Sequence, residues 1–144
     1  MSTEENKALV RRISLEGFNQ GNTAVLDEVV AADAFDHSPA PGLPPGPEGY
    51  KQFIVILRAA FPDLEYTIDQ QLAEGDMVAT RVTGRGTHKG EFLGIPPTGR
   101  RVTWTQTHLS RMVDGKMVEH WADVDQLGML QQLGAIPAPG QPPG

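Results

Sequence analysis

The stretch HLSRMVDGKMVEHWADVDQLG, residues 108–128, decides the fold of this chain and raises the question of its function. It reads as two strands joined at Asp114-Gly115, since Asp-Gly between alternating residues is a strong hairpin signal. The first strand carries His108, the second carries His120, and Asp123 lies near the end. These groups either meet in one cavity, where they could transfer protons, or lie scattered over a solvated sheet.

The register of the hairpin decides between these two possibilities. With a two-residue type I′ turn, His108 lies opposite Trp121, and His120 points to the other face. With a three-residue loop that contains a glycine bulge, His108 lies opposite His120 and Gln106 lies opposite Ala122, all on one face. Local turn chemistry favours the first register.

Composition excludes several classes of function. A chain of 144 residues without cysteine has the length of one domain and has no thiol or disulfide chemistry. A net charge of −6 argues against a nucleic-acid partner, because phosphate binding requires a basic surface. No apolar run reaches the ~18 residues of a membrane span, so no membrane partner is expected. With a polar, acidic N-terminus unlike a signal peptide, these features indicate a cytoplasmic protein.

The first half of the chain reads as helical. Apolar residues at helical spacing predict helices over 4–20, from Asn22 or Thr23 to Val30, and over 47–60. The segment HSPAPGLPPGPEG, residues 37–49, contains too much proline and glycine for regular structure, and its length is typical of a functional lid.

The second half reads as strands. Alternation predicts strands over 64–72, 77–86, 101–113 and 116–123, followed by a short helix over 125–133. We therefore predict an α+β fold in which a curved antiparallel sheet forms a cone against the N-terminal helices, with a central pocket. Residues 1–136 form one domain in this prediction, and residues 137–144 form a mobile Pro/Gly tail.

The strand RVTWTQTHLSRM supports a pocket. Its alternation puts Trp104, Gln106, His108 and Ser110 on one face, and neither face is purely apolar. An unpaired buried polar group costs ~1–3 kcal/mol, so these side chains need internal partners or a wet cavity.

The chain resembles the SnoaL-like polyketide cyclases of the nuclear transport factor 2-like superfamily. The resemblance spans nearly the whole chain and is carried by short motifs at 10–12, 46–49, 60–63, 94–98, 108–116 and 132–134. It implies a small homodimeric protein without cofactors, whose family enzymes close the last ring of an aromatic polyketide ester by an intramolecular aldol reaction.

The resemblance also assigns site residues. The family histidine falls on His108, but the position of the family's catalytic aspartate falls on Ala122. The resemblance favours the bulged register, which we adopt, with His108 as acid/base. The full predicted set is catalytic His108, His120 and Asp123, and substrate-binding His37, Trp104, Gln106 and Trp121 around a flat, hydrophobic small molecule.

Two alternatives stay open. The chain could resemble the hydroxylase-like relatives of the cyclases, or it could be a non-catalytic binding or dimerisation module. A metal site built from His37, His88, His108 and His120 is not expected, because no two of these have the short spacing usual for metal ligands.

Overall fold

The computed structural model describes residues 1–137 and Gly140. The predicted mobility of the tail falls mainly on residues outside this described part. The elements in chain order are helix α1 (Thr3–Arg12), a π-helical segment (Ile13–Phe18), α2 (Val25–Val29), β1 (Val30–Asp36), α3 (Pro47–Ala60), β2 (Glu65–Glu74), β3 (Met77–Thr87), β4 (Arg101–Val113), β5 (Lys116–Val124) and α4 (Gln126–Gln132).

The helices begin where capping chemistry allows. Ser2 and Glu5 form a reciprocal capping box at the start of α1, with the Glu5 amide donating to Ser2 Oγ at 3.0 Å. Pro47 opens α3, where its missing N–H costs no hydrogen bond. Among the described residues, no helix is long and apolar enough to cross a membrane.

The five strands form one sheet in the order β1-β5-β4-β3-β2. Three of its pairings are antiparallel, whereas β1 runs parallel to β5. The predicted α+β cone is therefore confirmed, with one addition. The chain leaves the helical conformation at Val30, which sequence reasoning placed in the second helix, and Val30–Asp36 becomes an edge strand.

The core lies between the inner face of the sheet and the helices. Phe61 at the end of α3 is fully buried and packs on Trp104 of β4, with ring centroids 5.3 Å apart. Gly84 of β3 lies beside the same indole ring, and a Cβ there would come within 2.5 Å of it. Trp104 is therefore held between sheet and helix as a fixed wall of the interior.

The hairpin differs from both predicted registers. Asp114 and Gly115 have φ of 49° and 78°, as a two-residue type I′ turn requires, so the adopted three-residue loop is wrong. Met112 lies opposite Met117, but Arg111 lies opposite Glu119, which leaves Val118 as an extra, bulged residue.

Because of this bulge, His120 lies on the inner face of the sheet, as predicted, although the register differs from the predicted one. Beyond the bulge, His108 lies opposite Ala122, and His120 lies opposite Ser110. The predicted pairing of His108 with His120, and of Gln106 with Ala122, is therefore wrong by two residues, which keeps the same face. The two histidines are diagonal neighbours on the inner face instead of directly opposed.

Candidate functional site

A cavity of about 630 Å³ lies between the inner face of the sheet and the helices. Its volume is in the range usual for small-molecule sites. Its wall is mostly apolar, with contributions from Val10, Phe18, Leu26, Leu43, Phe53, Leu57, Trp104 and Met117. The polar groups on this wall are few and come mainly from the sheet, including Asp36, Gln106, His108, Ser110 and His120.

A second depression of about 680 Å³ runs between α1 and β2. It is a shallow, solvent-open groove lined by polar residues such as Lys7, Arg11 and Gln70. None of the histidines contributes to it. Chemistry that needs a dry, enclosed site therefore belongs in the cone cavity.

Three side chains from three neighbouring strands form a hydrogen-bonded chain on the cavity wall. His108 Nδ1 lies 2.8 Å from His120 Nε2, and His120 Nδ1 lies 3.0 Å from Asp36 Oδ1. Asp36 lies opposite His120 because β1 pairs with β5. The backbone amide of Ser38 donates to the same Asp36 oxygen at 2.9 Å, which fixes the carboxylate.

The surroundings of this chain shift the pKa values of two of its members. Burial and the neighbouring His120 lower the pKa of His108 to about 3, so the ring is neutral near pH 7. The ring retains some accessible surface because it faces the cavity. Burial alone would raise the pKa of Asp36, but the hydrogen bond and charge of His120 outweigh it, and the net direction is down.

Tyr50 of α3 packs against the His120 ring. The two rings meet edge to face with centroids 5.6 Å apart. Burial and the charge of Asp36 raise the pKa of Tyr50, so the phenol stays protonated. Its buried hydroxyl lies close to the Asp36 carboxylate, although it does not meet the full geometry of a hydrogen bond to any described group.

Gln106 is the second unsatisfied group. Its side chain is buried on the inner face of β4, and its amide nitrogen Nε2 has no hydrogen-bond partner among the described residues. Buried donors are nearly always paired in native proteins, so an unpaired one in a cavity wall suggests that a ligand completes it. The predicted neighbour Trp104 also lines the cavity, as an apolar wall.

Three predicted site residues lie on the outer face of the sheet. Trp121 lies opposite Leu109 and stacks on His37 with ring centroids 4.5 Å apart and planes 3° from parallel. His37 is also held by Glu119 at 2.9 Å. Asp123 lies opposite Thr107 and is exposed. The cavity wall, so far as the described residues define it, includes none of these three side chains.

Asp36 is the site residue that sequence reasoning missed. It sits in AFDHSP, just before the proline-rich loop, where a carboxylate looks like an ordinary turn residue. No alternating pattern marked the strand, because only Val30 and Ala34 are buried among the residues from Val30 to Asp36. Its short length and its position directly after a helix concealed it.

Acid is expected to destabilise the fold through His108. Because the pKa of this ring is lowered from 6.5 to about 3, the unfolded chain binds a proton there between these pH values and the folded protein does not. The free energy of unfolding therefore falls as the pH drops below about 6.5, by about 2 kcal/mol between about pH 7 and pH 5 from this residue. Urea unfolding at the two pH values measures the difference.

The His108→Gln variant is the control for this effect, since glutamine does not titrate. Between the two pH values, the free energy of unfolding of this variant should fall by less than that of the wild-type protein, and the difference is the contribution of His108. An identical pH dependence in the variant and the wild-type protein would contradict the lowered pKa.

Among the described residues, no group of three or more metal-ligating side chains is placed to hold an ion. What the geometry defines is an α+β cone with a mostly apolar cavity, one wall of which carries a carboxylate–histidine–histidine chain. This is the architecture of a small-molecule domain suited to acid/base chemistry.

Comparison with known proteins gives the family. A family model of the SnoaL-like polyketide cyclases matches residues 8–133, and the chain belongs to this family. It is 34% identical to the nogalonic acid methyl ester cyclase of Streptomyces nogalater over 83% of this chain and 91% of that protein.

Solved structures agree with this assignment. IdmH of Streptomyces antibioticus, described as a candidate polyketide cyclase, is 39% identical with a TM-score of 0.77, over 90% of this chain and 98% of that one. AclR of Streptomyces galilaeus, described as a candidate hydroxylase, is 33% identical with a TM-score of 0.83, over 95% and 85% of the two chains.

Proposed function

We propose that this protein cyclises an aromatic polyketide ester by an intramolecular aldol reaction, with His108 as the general acid/base. The single observation that carries the proposal is the cavity-facing ring of His108, whose Nδ1 lies 2.8 Å from His120 Nε2. None of the described residues hydrogen-bonds to its other nitrogen, Nε2, which leaves a lone pair available to a substrate.

The reaction consists of proton transfers and one new carbon–carbon bond. His108 Nε2 removes a proton from the carbon between activating carbonyl groups, and the resulting enolate carbon attacks a ketone in the same molecule. The alkoxide that forms takes the proton back from His108. No atom is lost and nothing is oxidised, so the chemistry itself requires no electron carrier.

Two donors are placed to stabilise the enolate. The first is the unpaired amide of Gln106, which lines the same wall as His108. Beside it, Trp104 is not used as a donor but gives a flat apolar surface for an aromatic ring system. Hydrogen bonds aimed at developing negative charge in a dry site lower the barrier more than they would in water. The Tyr50 hydroxyl, which lies close to Asp36, also lines the cavity and is the second donor.

The cavity favours an ester over a free acid. Among the described residues of its wall, none is lysine or arginine, and the single carboxylate is Asp36. A carboxylate on the substrate would lose its hydration without gaining a counter-ion. The related cyclase of Streptomyces nogalater is named for a methyl ester, in line with this selection.

The test is incubation of the purified protein with the methyl ester of an aromatic polyketide acid under nitrogen, without added cofactor. The expected product is an isomer of unchanged mass with a new ring. Binding without conversion would instead indicate a non-catalytic binding module.

Hydroxylation is the second candidate, favoured by the similarity to AclR. The same assay separates the two functions. A hydroxylase needs oxygen, gives no product under nitrogen, and in air adds one oxygen atom to the mass of the substrate.

We also propose that the protein is a homodimer that covers the outer face of the sheet. Leu72, Ala79, Leu109 and Trp121 form a row across four strands there, and both leucines are exposed. A contiguous exposed apolar row on a sheet face is typical of a protein–protein contact. Light scattering coupled to gel filtration should give twice the chain mass, and Leu109→Arg should shift it to the monomer.

Val55→Arg is the matched control. Val55 is equally apolar and exposed but lies on α3, away from the sheet. A monomeric wild-type protein, or equal dissociation by both variants, would contradict this interface.

A further inference from the structure

The carboxylate of Asp36 does not touch the cavity-facing nitrogen of His108. It reaches that ring only through His120, by the hydrogen bonds of 3.0 Å and 2.8 Å described above. The residue directly opposite His108 is Ala122, which carries no functional group. Within the described residues, Asp36 is the one acidic side chain on the cavity wall.

When both histidines are neutral, these two hydrogen bonds determine which nitrogen of each ring carries the proton. An ionised Asp36 accepts a hydrogen bond, so His120 Nδ1 carries the proton and donates it. When the His120 ring is neutral, its other nitrogen is an acceptor, so His120 Nε2 accepts from His108 Nδ1–H. His108 Nε2 is left without a proton. The carboxylate thus determines, two rings away, that the nitrogen facing the cavity is the basic one.

The same chain disperses charge when His108 accepts a proton. The imidazolium donates from Nδ1 to His120, and the negative charge of Asp36 lies behind that ring on the same cavity wall. The carboxylate itself is held by the Ser38 amide, and the Ser38 hydroxyl accepts from the Ala122 amide at 3.0 Å. Asp36 is therefore anchored to the backbone of β5 and is not a freely rotating surface acid.

We infer that Asp36 is the positioning residue of the site: acting through His120, it sets the tautomer of His108 and stabilises its protonated form. The inference rests on the proposed function, because it assigns a second residue to the same acid/base chemistry. It also makes a claim about the resting protein, which can be tested without any substrate.

The test compares Asp36→Asn with Asp33→Asn. Asp33 is an exposed aspartate on the same strand and does not line the cavity, so its amide variant is a matched control. Nitrogen-15 NMR of the imidazoles reports the tautomers. In the wild-type protein and in Asp33→Asn, His108 should be protonated at Nδ1 and bare at Nε2. In Asp36→Asn, a substantial fraction should convert to the opposite tautomer.

Turnover of the ester gives the second readout. Asp36→Asn should lower kcat on the order of 10- to 100-fold with a smaller change in KM, by analogy with the loss of the partners that orient metal-binding histidines. Adding Ala122→Asp to Asp36→Asn places a carboxylate directly opposite His108 and should restore part of the rate. A loss caused only by damaged structure would not be recovered by a charge at a different position.

The outcomes separate the two proposals. If the wild-type protein shows the stated tautomer but does not cyclise the ester, the proposed function fails and the role of Asp36 in setting the tautomer stands. If Asp36→Asn keeps the wild-type tautomers and rate, or if Asp33→Asn is equally impaired, the inference is overturned. Should Asp36→Asn not fold by circular dichroism, Asp36→Ser is measured in the same way.

Discussion

Replacing His108 by glutamine should reduce cyclisation of the ester by about 10²- to 10⁴-fold, the usual contribution of a general acid/base. Glutamine keeps a hydrogen-bonding group near His120 and roughly the same volume, but it cannot accept a proton near neutral pH. The expected loss is therefore in kcat, since the apolar wall that binds the substrate is unchanged. Steady-state kinetics with the ester measure both parameters.

His37→Gln is the matched control. It is the same substitution on the outer face of the sheet, where His37 stacks on Trp121 and bonds to Glu119. Its turnover should equal that of the wild-type protein. Equal losses in the two variants would show that the effect of His108 is not specific, and an unaffected rate in His108→Gln would remove this residue from the mechanism.

The methyl ester should be preferred over the corresponding free acid by about 10²- to 10³-fold in kcat/KM, as several kcal/mol of unrecovered desolvation imply. The reason is the lack of a cation in the described wall of the cavity and the presence of Asp36. Competition between the two compounds in one assay gives the ratio directly.

A cation introduced into the wall should weaken this preference. Ser14 lines the cavity from the π-helical segment, so Ser14→Lys brings an ammonium group to it, and Ser14→Gln adds comparable length without charge. The ratio of kcat/KM for the ester to kcat/KM for the free acid should fall in Ser14→Lys and should stay unchanged in Ser14→Gln. Similar rates for ester and acid in the wild-type protein would show that the cavity does not select against charge.

The inner face of β4 could be predicted from sequence because its pattern is local. Trp104, Gln106, His108 and Ser110 alternate on one strand, and all four line the cavity. The residues of β5 depend on register, which no local pattern determines. His120 reaches the inner face, as expected, but through a bulge at Val118 that the sequence does not reveal.

Irregularities of the backbone explain the other differences. In β2, the predicted alternation from Leu64 to Leu72 breaks where the register shifts between Ile68 and Gln70. Leu72 therefore points outward and is exposed, and Gln71 points inward to bond Thr80 at 3.1 Å. A bulge inserts one residue and inverts the faces that follow it.

The strand β1 was not predicted, for a different reason. Its pairing with β5 is parallel and joins residues more than eighty positions apart, such as Asp36 and His120. Contacts of that separation depend on the complete fold. The carboxylate of the site was therefore beyond the reach of sequence reasoning, whereas its two histidines were not.

The bulge at Val118 has an evolutionary consequence. In a hairpin without it, Trp121 would oppose His108 and Asp123 would oppose Gln106, so the cavity would receive an indole and a carboxylate in place of His120 and Ala122. One strand thus encodes two alternative sets of pocket residues, and a single backbone irregularity selects between them. Diversification in such a lineage could proceed by gaining or losing a bulge, which exchanges several pocket side chains at once while the strand's residues stay the same.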